Sequence, residues 1–171
     1  MTDLRGLLAR LADADFPFVV VGGYAAVAHG APLVTQDLDV CCEFTEEALR
    51  RLDSAIGDLH PVHRMRPDRM PLTVAPGFER GLKNLYLDTD WGPLDLLGEV
   101  KGIGPYAAVL ARSIEVEAAG RRIRLLSREA TIAAKAAMGR LRDLEAIRHL
   151  REMAEDADEE RGRRQAPPPG E

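Results

Sequence analysis

Hydrophobic positions recur along this chain with two different periods, which predicts a mixture of helices and strands. Near the start, leucines fall about every 3.6 residues and predict an amphipathic helix; they are Leu4, Leu7, Leu8 and Leu11. Residues 16–21 are almost continuously apolar after an Asp/Pro break, which predicts a buried strand. A helix followed by a buried strand is a usual beginning for a sheet with helices packed on it.

The same two periods predict the remaining elements. Alanine favours a helix before Gly30, Thr45 is a good N-cap for the next helix, and strict alternation on both sides of 118–120 predicts a hairpin. Between these, residues 60–81 are rich in Pro, Arg and Met, and we expect a short strand within irregular loops. The predicted strands are 37–44, 82–87, 93–97, 114–117 and 122–126, and the predicted helices are 24–29, 46–56, 106–110, 128–138 and 141–150.

Length and composition indicate one compact domain. The chain has 171 residues, of which 46% are hydrophobic. We expect a core over residues 1–112 and a C-terminal hairpin with helices packed on it over residues 113–155. From 156 to 171 alanine is the main apolar residue besides a proline run, so this tail is predicted to be disordered.

Charge and cysteine usage narrow the class of protein. Residues 1–111 are acidic, whereas 112–151 are basic and could face phosphates, although charged helix surfaces explain the same distribution. Cys41 and Cys42 are adjacent and in a predicted strand, which indicates buried thiols of a reducing compartment and disfavours zinc. The chain shows neither a signal-like start nor an apolar run of membrane-spanning length, so we expect a cytoplasmic protein without a membrane partner.

Candidate chemistry lies at the end of the first predicted strand and on two later ones. Gly22 and Gly23 form a turn, and Asp37 and Asp39 lie two positions apart on a strand, so their side chains share a face. Asp95 lies between two leucines of another predicted strand, where a carboxylate is costly without a partner. Three such carboxylates suit magnesium, which prefers oxygen ligands and substrate phosphates.

Simpler interpretations exist for each part. A paired glycine is more often a plain turn than a phosphate cradle, and an Asp-x-Asp pair is often a solvated strand entrance. Arg64, Arg66 and Arg69 could approach a polyanion, but a solvated loop is the simpler interpretation. Taken in order, the glycine turn and the carboxylates predict phosphoryl or nucleotidyl transfer by metal-assisted in-line displacement.

The order of these motifs resembles that of the DNA polymerase β-like nucleotidyltransferase superfamily. The pattern is GG, an Ala-rich helix ending in Gly, then TxDLDV, then PLDLL, and within the superfamily it looks most like small bacterial proteins of the AbiEii/MenT type. The resemblance covers about residues 5–150. It implies an α+β nucleotidyltransferase fold, with a mixed central sheet flanked by helices and a small C-terminal hairpin and helical extension.

The resemblance also implies roles for individual residues. Asp37 and Asp39 would bind two magnesium ions, and Asp95 would complete the metal site and activate the attacking hydroxyl. The nucleotide would contact the turn and the TxDLDV segment through Gly22, Gly23 and Thr35.

A later segment, 134–144, is similar to the Lys…Arg-x-(Lys/Arg)-Asp helix of such proteins. On a single helix Lys135, Arg142 and Asp143 would lie close to one face, with Lys135 and Arg142 contacting the nucleotide and Asp143 orienting Lys135 or capping the helix. A solvated helix face is the alternative. Two departures weaken the match: Leu33 stands where relatives often carry Arg, and Gly23 stands where many carry Ser.

These expectations predict a magnesium-dependent enzyme that transfers a nucleoside monophosphate from an NTP, such as ATP, to a hydroxyl and releases pyrophosphate. The basic segment 112–151 makes tRNA or another nucleic acid a reasonable acceptor, and the AbiEii/MenT resemblance implies a toxin–antitoxin context with a cognate protein partner. One alternative is a small-molecule, aminoglycoside-like nucleotidyltransferase. The other is a non-catalytic protein of the same fold that binds a nucleotide or a partner.

Overall fold

The computed structural model describes the backbone of residues 1–165 and the side chains of residues 1–161. The helices are α1 (Leu4–Asp13), α2 (Gly22–Ala28), α3 (Glu46–Ile56), α4 (Tyr106–Ala111), α5 (Arg128–Met138) and α6 (Asp143–Gln165), with a 3-10 turn at Gly57–Leu59. The strands are β1 (Val19–Val20), β2 (Leu38–Cys41), β3 (Val62–His63), β4 (Asn84–Thr89), β5 (Gly92–Leu97), β6 (Glu99–Val100), β7 (Gly104–Pro105), β8 (Ser113–Ala118) and β9 (Arg121–Leu126).

Seven of the strands form one mixed sheet in the order β3-β4-β5-β2-β1-β9-β8. Strand β2 runs antiparallel to β1 and parallel to β5, and β1 runs parallel to β9. Strands β6 and β7 form a separate two-stranded ribbon. The predicted mixed central sheet flanked by helices is therefore confirmed, and the C-terminal hairpin β8–β9 extends that sheet beyond β1.

Alternation along the strands gives the sheet one closed face and one open face. Helices α1 and α3 cover the closed face with the periodic leucines predicted from the sequence, and Thr45 caps α3 as expected. The opposite face is covered in part by α4 and α5, over a smaller apolar cluster. Because Leu38, Val40, Leu94 and Leu96 point to the closed face, Asp39 and Asp95 point to the open face. The fully buried closed-face side chains include Leu7, Leu8, Leu11, Leu49, Leu52 and Ile56.

The region after α5 differs from the expectation of a single helix. Gly139 ends α5 in a left-handed conformation with φ of 65°, and α6 starts only at Asp143. Lys135 and Arg142 therefore do not share a helix face, because the chain turns between them. Gly is the usual residue for such a helix end, since it adopts positive φ without a steric cost.

The predicted disorder from residue 156 is wrong for residues 156–165, which belong to α6, while residues 166–171 lie outside the described part. The start of α6 is anchored by the buried Ala146, Ile147 and Leu150. Extending a helix from such an anchored turn costs little when Ala, Glu and Arg follow. The thiols of Cys41 and Cys42 are free and buried, as expected.

Strand β9 pairs with β1, so residues 1–112 and 113–155 share one sheet; the division between them remains a prediction. Within residues 1–165, none of the helices combines the length and the apolar character needed to cross a bilayer.

Candidate active site

The turn between β1 and α2 brings the chain against Asp39. Gly22 begins α2 with φ of +64°, a conformation that side chains rarely adopt, and a methyl group there would lie 2.1 Å from Asp39 Oδ2. The backbone N–H of Gly23 donates a hydrogen bond to the Asp39 carboxylate, and Val21 N–H donates to the Asp39 carbonyl at 2.9 Å. Of the two glycines predicted to cradle a triphosphate, Gly23 therefore binds a carboxylate of the site in this structure, and Gly22 leaves room for it.

Three carboxylates meet on the open face. Asp39 and Asp95 are register partners in the parallel pair β2–β5, and Asp37 lies just before β2. Ligand oxygens of Asp37, Asp39 and Asp95 all lie within 4.8 Å of one another. The sheet thus brings together the three side chains that the sequence predicted as one site.

Burial and nearby negative charge raise the pKa values of Asp39 and Asp95. Burial, followed by the charges of Asp37 and Asp95, raises the pKa of Asp39 from 3.8 to about 6. Burial also raises the pKa of Asp95, and the Arg64 guanidinium opposes part of that rise. A divalent cation bound by these oxygens would relieve the repulsion, and an all-oxygen set of this kind is the chemistry that Mg²⁺ prefers. The residues present therefore fit magnesium.

Thr35 supports the triad. Its Oγ1 lies 2.9 Å from Asp37 Oδ1 and 3.0 Å from the Asp37 carbonyl oxygen. A methyl group at Gly23 would lie 2.8 Å from the same hydroxyl. The space that a serine would need at position 23 is thus filled by Thr35, which explains this departure from the superfamily pattern. The nucleotide contact of Thr35 stays a prediction.

A cavity of about 650 Å³ opens from the triad along the underside of α5. Gly22, Asp39 and Asp95 line one end of it. Elsewhere its walls carry uncharged polar, acidic and basic side chains; these are Asn84, Tyr86, Glu99, Lys101, Lys135 and Arg140. A carboxylate cluster beside several cations is an arrangement suited to a metal-bound polyphosphate.

Lys135 is fixed in the cavity wall by a buried ion pair. Its Nζ donates to Asp143 Oδ1 at 2.9 Å, and the Nε of Arg140 donates to Asp143 Oδ2 at 2.6 Å. The Lys135 and Asp143 side chains are only 9% and 5% exposed. Burial alone would raise the pKa of Asp143, but the hydrogen bonds from Arg140 and Lys135 outweigh burial and hold it below its usual value. Asp143 thus orients Lys135, one of the two roles expected for it.

The structure places Arg142 differently from the prediction. Arg142 is exposed and lies outside the cavity lining, whereas Arg140 lines the cavity. The nucleotide contact of Arg142 remains a prediction that the geometry does not support. The turn at Gly139 is the sequence signal that could have identified Arg140 instead.

Arg64 is a site residue that sequence reasoning missed. Its Nη2 donates to Asp95 Oδ1, its guanidinium carbon lies 6.0 Å from the centre of the Tyr86 ring, and its backbone N–H donates to the Tyr86 carbonyl at 2.9 Å. The expected solvated loop is correct for the exposed Arg66 and Arg69 but wrong for Arg64. Only the pairing of β3 with β4 determines which of the three arginines reaches the site.

Comparison with known proteins identifies the fold. No protein-family model and no curated protein sequence matches the chain. The lincomycin-bound crystal structure of the lincosamide antibiotic adenylyltransferase LnuA is similar with a TM-score of 0.57 and 14% identity, over 89% of this chain and 98% of that one. ANT(2″)-Ia in complex with adenylyl-2″-tobramycin is similar with a TM-score of 0.55 and 16% identity, over 86% of this chain and 84% of that one.

A solution structure of the antibiotic-resistance factor ANT(2″)-Ia gives the same TM-score of 0.55 at 17% identity, over 90% of this chain and 82% of that one. These structures do not confirm the narrower resemblance to AbiEii/MenT-type proteins, which stays a prediction. At such identities the likeness establishes the architecture, and the chain has the fold of the nucleotidyltransferases.

Proposed function

We propose that this protein is a magnesium-dependent nucleotidyltransferase, which moves a nucleoside monophosphate from an NTP to a hydroxyl acceptor and releases pyrophosphate. The observation that carries the proposal is the triad of Asp37, Asp39 and Asp95, with ligand oxygens within 4.8 Å of one another at one end of an open cavity. Keeping three carboxylates so close is costly, and a bound cation is the usual compensation.

The three residues of the triad would have different chemical roles according to their positions. Asp37 and Asp39 would hold Mg²⁺, and bound magnesium supplies charge stabilisation at the phosphoryl oxygens. Asp95, from the neighbouring strand, would orient the acceptor hydroxyl and take its proton. Thr35 keeps the Asp37 carboxylate in place for this function.

The cations of the cavity wall suit the triphosphate. Lys135 on α5 and Arg140 in the turn after it line the cavity, and both are held by the Asp143 carboxylate before a substrate arrives. Lys101 lines the same cavity from the loop after β6. Positive groups that are already in position stabilise negative charge without a further ordering cost. We therefore assign this wall to the leaving pyrophosphate.

For the acceptor we propose a small hydroxyl compound rather than tRNA. The similar structures hold small compounds: LnuA binds lincomycin, and ANT(2″)-Ia is in complex with adenylyl-2″-tobramycin. In addition, several arginines of the basic segment 112–151 that lie outside the cavity are already paired with acids: Arg121 with Asp13, Arg122 with Glu115 and Arg148 with Glu152. Their charge is thus partly neutralised, which weakens the argument for a nucleic-acid surface, and neither tRNA nor a cognate toxin or antitoxin gains support.

The proposal is tested by incubating the protein with Mg²⁺, each α-labelled NTP, and separate acceptors that include lincomycin, tobramycin and total tRNA. Asp39→Asn should abolish Mg²⁺-dependent label transfer and pyrophosphate release. Asp90→Asn is the matched control, because Asp90 is exposed at the β4–β5 turn beside His60 and outside the cavity lining. If wild type binds Mg-NTP but releases no more pyrophosphate than Asp39→Asn with any acceptor, the non-catalytic alternative replaces the proposal. Label appearing on tRNA alone would restore the nucleic-acid acceptor.

A further inference from the structure

Arg64 occupies a position in the site that the proposed reaction does not explain. Its guanidinium contacts Asp95 while 27% of its side chain remains exposed, and the Asp95 side chain is 11% exposed. The backbone of Arg64 is tied to β4 through the Tyr86 carbonyl, so the side chain starts from a fixed point at the edge of the sheet. Arg64 thus lies behind Asp95, which lines the cavity, and a guanidinium held in place beside a substrate site is a common receptor for anions.

The other arginines of this loop have acids of their own. Arg66 pairs with Asp68 at 2.9 Å, and Arg69 pairs with Asp88 at 2.8 Å. Arg64 instead pairs with Asp95, which belongs to the triad. Any change in the charge or contacts of Asp95 during the reaction therefore affects Arg64 as well.

The proposed reaction weakens the negative charge that Asp95 offers to Arg64. When Asp95 shares its negative charge with a cation and an acceptor hydroxyl, the guanidinium keeps its full positive charge, because Arg stays protonated in proteins. A partly buried charge with a weakened partner is costly, so another anion is favoured beside it. Arg64 has five N–H donors and can bind that anion without leaving the site.

The sheet order indicates which substrate supplies the anion. The proposed triphosphate side of the site lies at Gly22 after β1 and at the α5 wall, whereas Arg64 follows β3, beyond β5 and β4 in the sheet order. The Arg64 guanidinium reaches Asp95 on β5 from the β3 side of the triad, whereas Gly22 lies against Asp39 on β2 from the β1 side. In an in-line displacement the attacking hydroxyl approaches opposite the leaving pyrophosphate. The acceptor therefore enters on the side of Asp95 where Tyr86, Asn84 and Arg64 lie.

We infer that the acceptor carries an anionic group, a carboxylate or a phosphate, near its reactive hydroxyl, and that Arg64 binds this group. The inference rests on the proposed nucleotidyl transfer and specifies its substrate class. A polycationic acceptor such as tobramycin would meet the Arg64 charge at the same place and would be repelled. This chain should therefore differ in acceptor from ANT(2″)-Ia, whose structure contains adenylyl-2″-tobramycin.

The first test measures binding without turnover. The protein is saturated with Mg²⁺ and an α,β-methylene NTP, which cannot release pyrophosphate, and inorganic phosphate is then titrated by calorimetry. Wild type and Arg66→Gln, the matched control from the same loop, should bind phosphate alike. Arg64→Gln should bind it about 10-fold to 100-fold more weakly, the usual effect of losing a charge-assisted hydrogen bond. Arg64→Lys, which keeps the charge but loses the planar fork, should lie between them.

Equal phosphate affinity in wild type and Arg64→Gln would overturn the inference. So would a weaker affinity of Arg64→Gln for the NTP analogue itself, since that result would assign Arg64 to the triphosphate. Unfolding midpoints of both Arg64 variants show that the comparison is made on folded protein. Arg64→Lys keeps the test valid if the glutamine variant does not fold.

The second test compares acceptors on one scaffold, namely 3-amino-1,2-propanediol, glycerol, glycerate and glycerol 3-phosphate. Transfer should favour the two anionic compounds, and Arg64→Gln should remove that preference by raising their KM. Preferred transfer to the amine or to tobramycin overturns the inference and leaves the proposed function standing. Failure of wild type to bind the Mg-NTP analogue overturns the proposed function itself, so the two failures are distinguished.

Discussion

Replacing Asp39 by Asn removes one charge from the triad and nearly preserves the shape of the side chain. The Asn carbonyl oxygen can still accept the hydrogen bond that the Gly23 N–H donates to Asp39. The main change is therefore electrostatic: repulsion from Asp37 and Asp95 and the cost of burying a third carboxylate disappear. We expect the metal-free variant to be more stable than the wild type at neutral pH.

The magnitude follows from the pKa of Asp39, which burial and then its acidic neighbours raise from 3.8 to about 6. One pH unit corresponds to about 1.4 kcal/mol, so the charged form costs the folded wild type up to about 3 kcal/mol above pH 6. For a domain of this size that is roughly 6–12 °C in Tm. Because the folded-state pKa is above the unfolded one, this cost is complete above pH 6 and absent below about pH 4.

Urea or thermal unfolding of both proteins in EDTA, from neutral pH down to about pH 4, measures this difference directly. The gap between Asp39→Asn and wild type should be largest at neutral pH and should close as the pH falls through 6. Added Mg²⁺ should stabilise the wild type, by about 2.7 kcal/mol at a concentration 100 times Kd, and should have little effect on the variant. A variant less stable than wild type in EDTA at neutral pH, or a gap independent of pH, would refute the electrostatic reasoning.

Three further substitutions test other parts of the site. Gly22→Ala should lower the free energy of unfolding by about 1–2 kcal/mol, because alanine resists the left-handed backbone conformation. It should also lose the stabilisation by Mg²⁺ in thermal unfolding, because its methyl group would lie 2.1 Å from Asp39 Oδ2. The control Gly81→Ala, with φ of +74° and no atom within 4 Å, should show only the backbone cost. Lys135→Met should destabilise the fold by about 1–3 kcal/mol by removing one of the two cations on Asp143, and should weaken Mg-NTP binding in calorimetry; unchanged NTP affinity would contradict the phosphate role. Asp95→Asn should abolish transfer and keep a cooperative unfolding transition, and unchanged turnover would exclude Asp95 from the reaction.

Local patterns predicted the helices and hairpins better than they predicted the sheet. The leucine spacing of α1 and the Thr45 cap of α3 depend only on near neighbours, and both are found in the structure. The position of β9 beside β1 pairs Val19 with Arg124, far apart in sequence. Strict alternation in a hairpin shows that it has a solvated face but does not select the strand that it joins.

The candidate site was predictable where its chemistry depends on alternation. Asp37 and Asp39 at i and i+2, and Asp95 between leucines, indicated one face, and the superfamily resemblance suggested their roles. Arg64 and Arg140 were not identified. The first is one of three similar arginines in an irregular loop, and the second depends on a chain reversal after α5 that moves Arg142 out to solvent.

The pairing of β1 with β9 has a consequence for protein synthesis. All three carboxylates have left the ribosome well before residues 121–126, yet until β9 arrives the two-residue β1 has β2 as its only sheet neighbour. Non-local pairing of this kind forms late in folding. An N-terminal fragment ending before β9 would therefore carry every proposed metal ligand without the wall that holds Lys135. The proposed site can therefore form only after residues 128–138 have been synthesised.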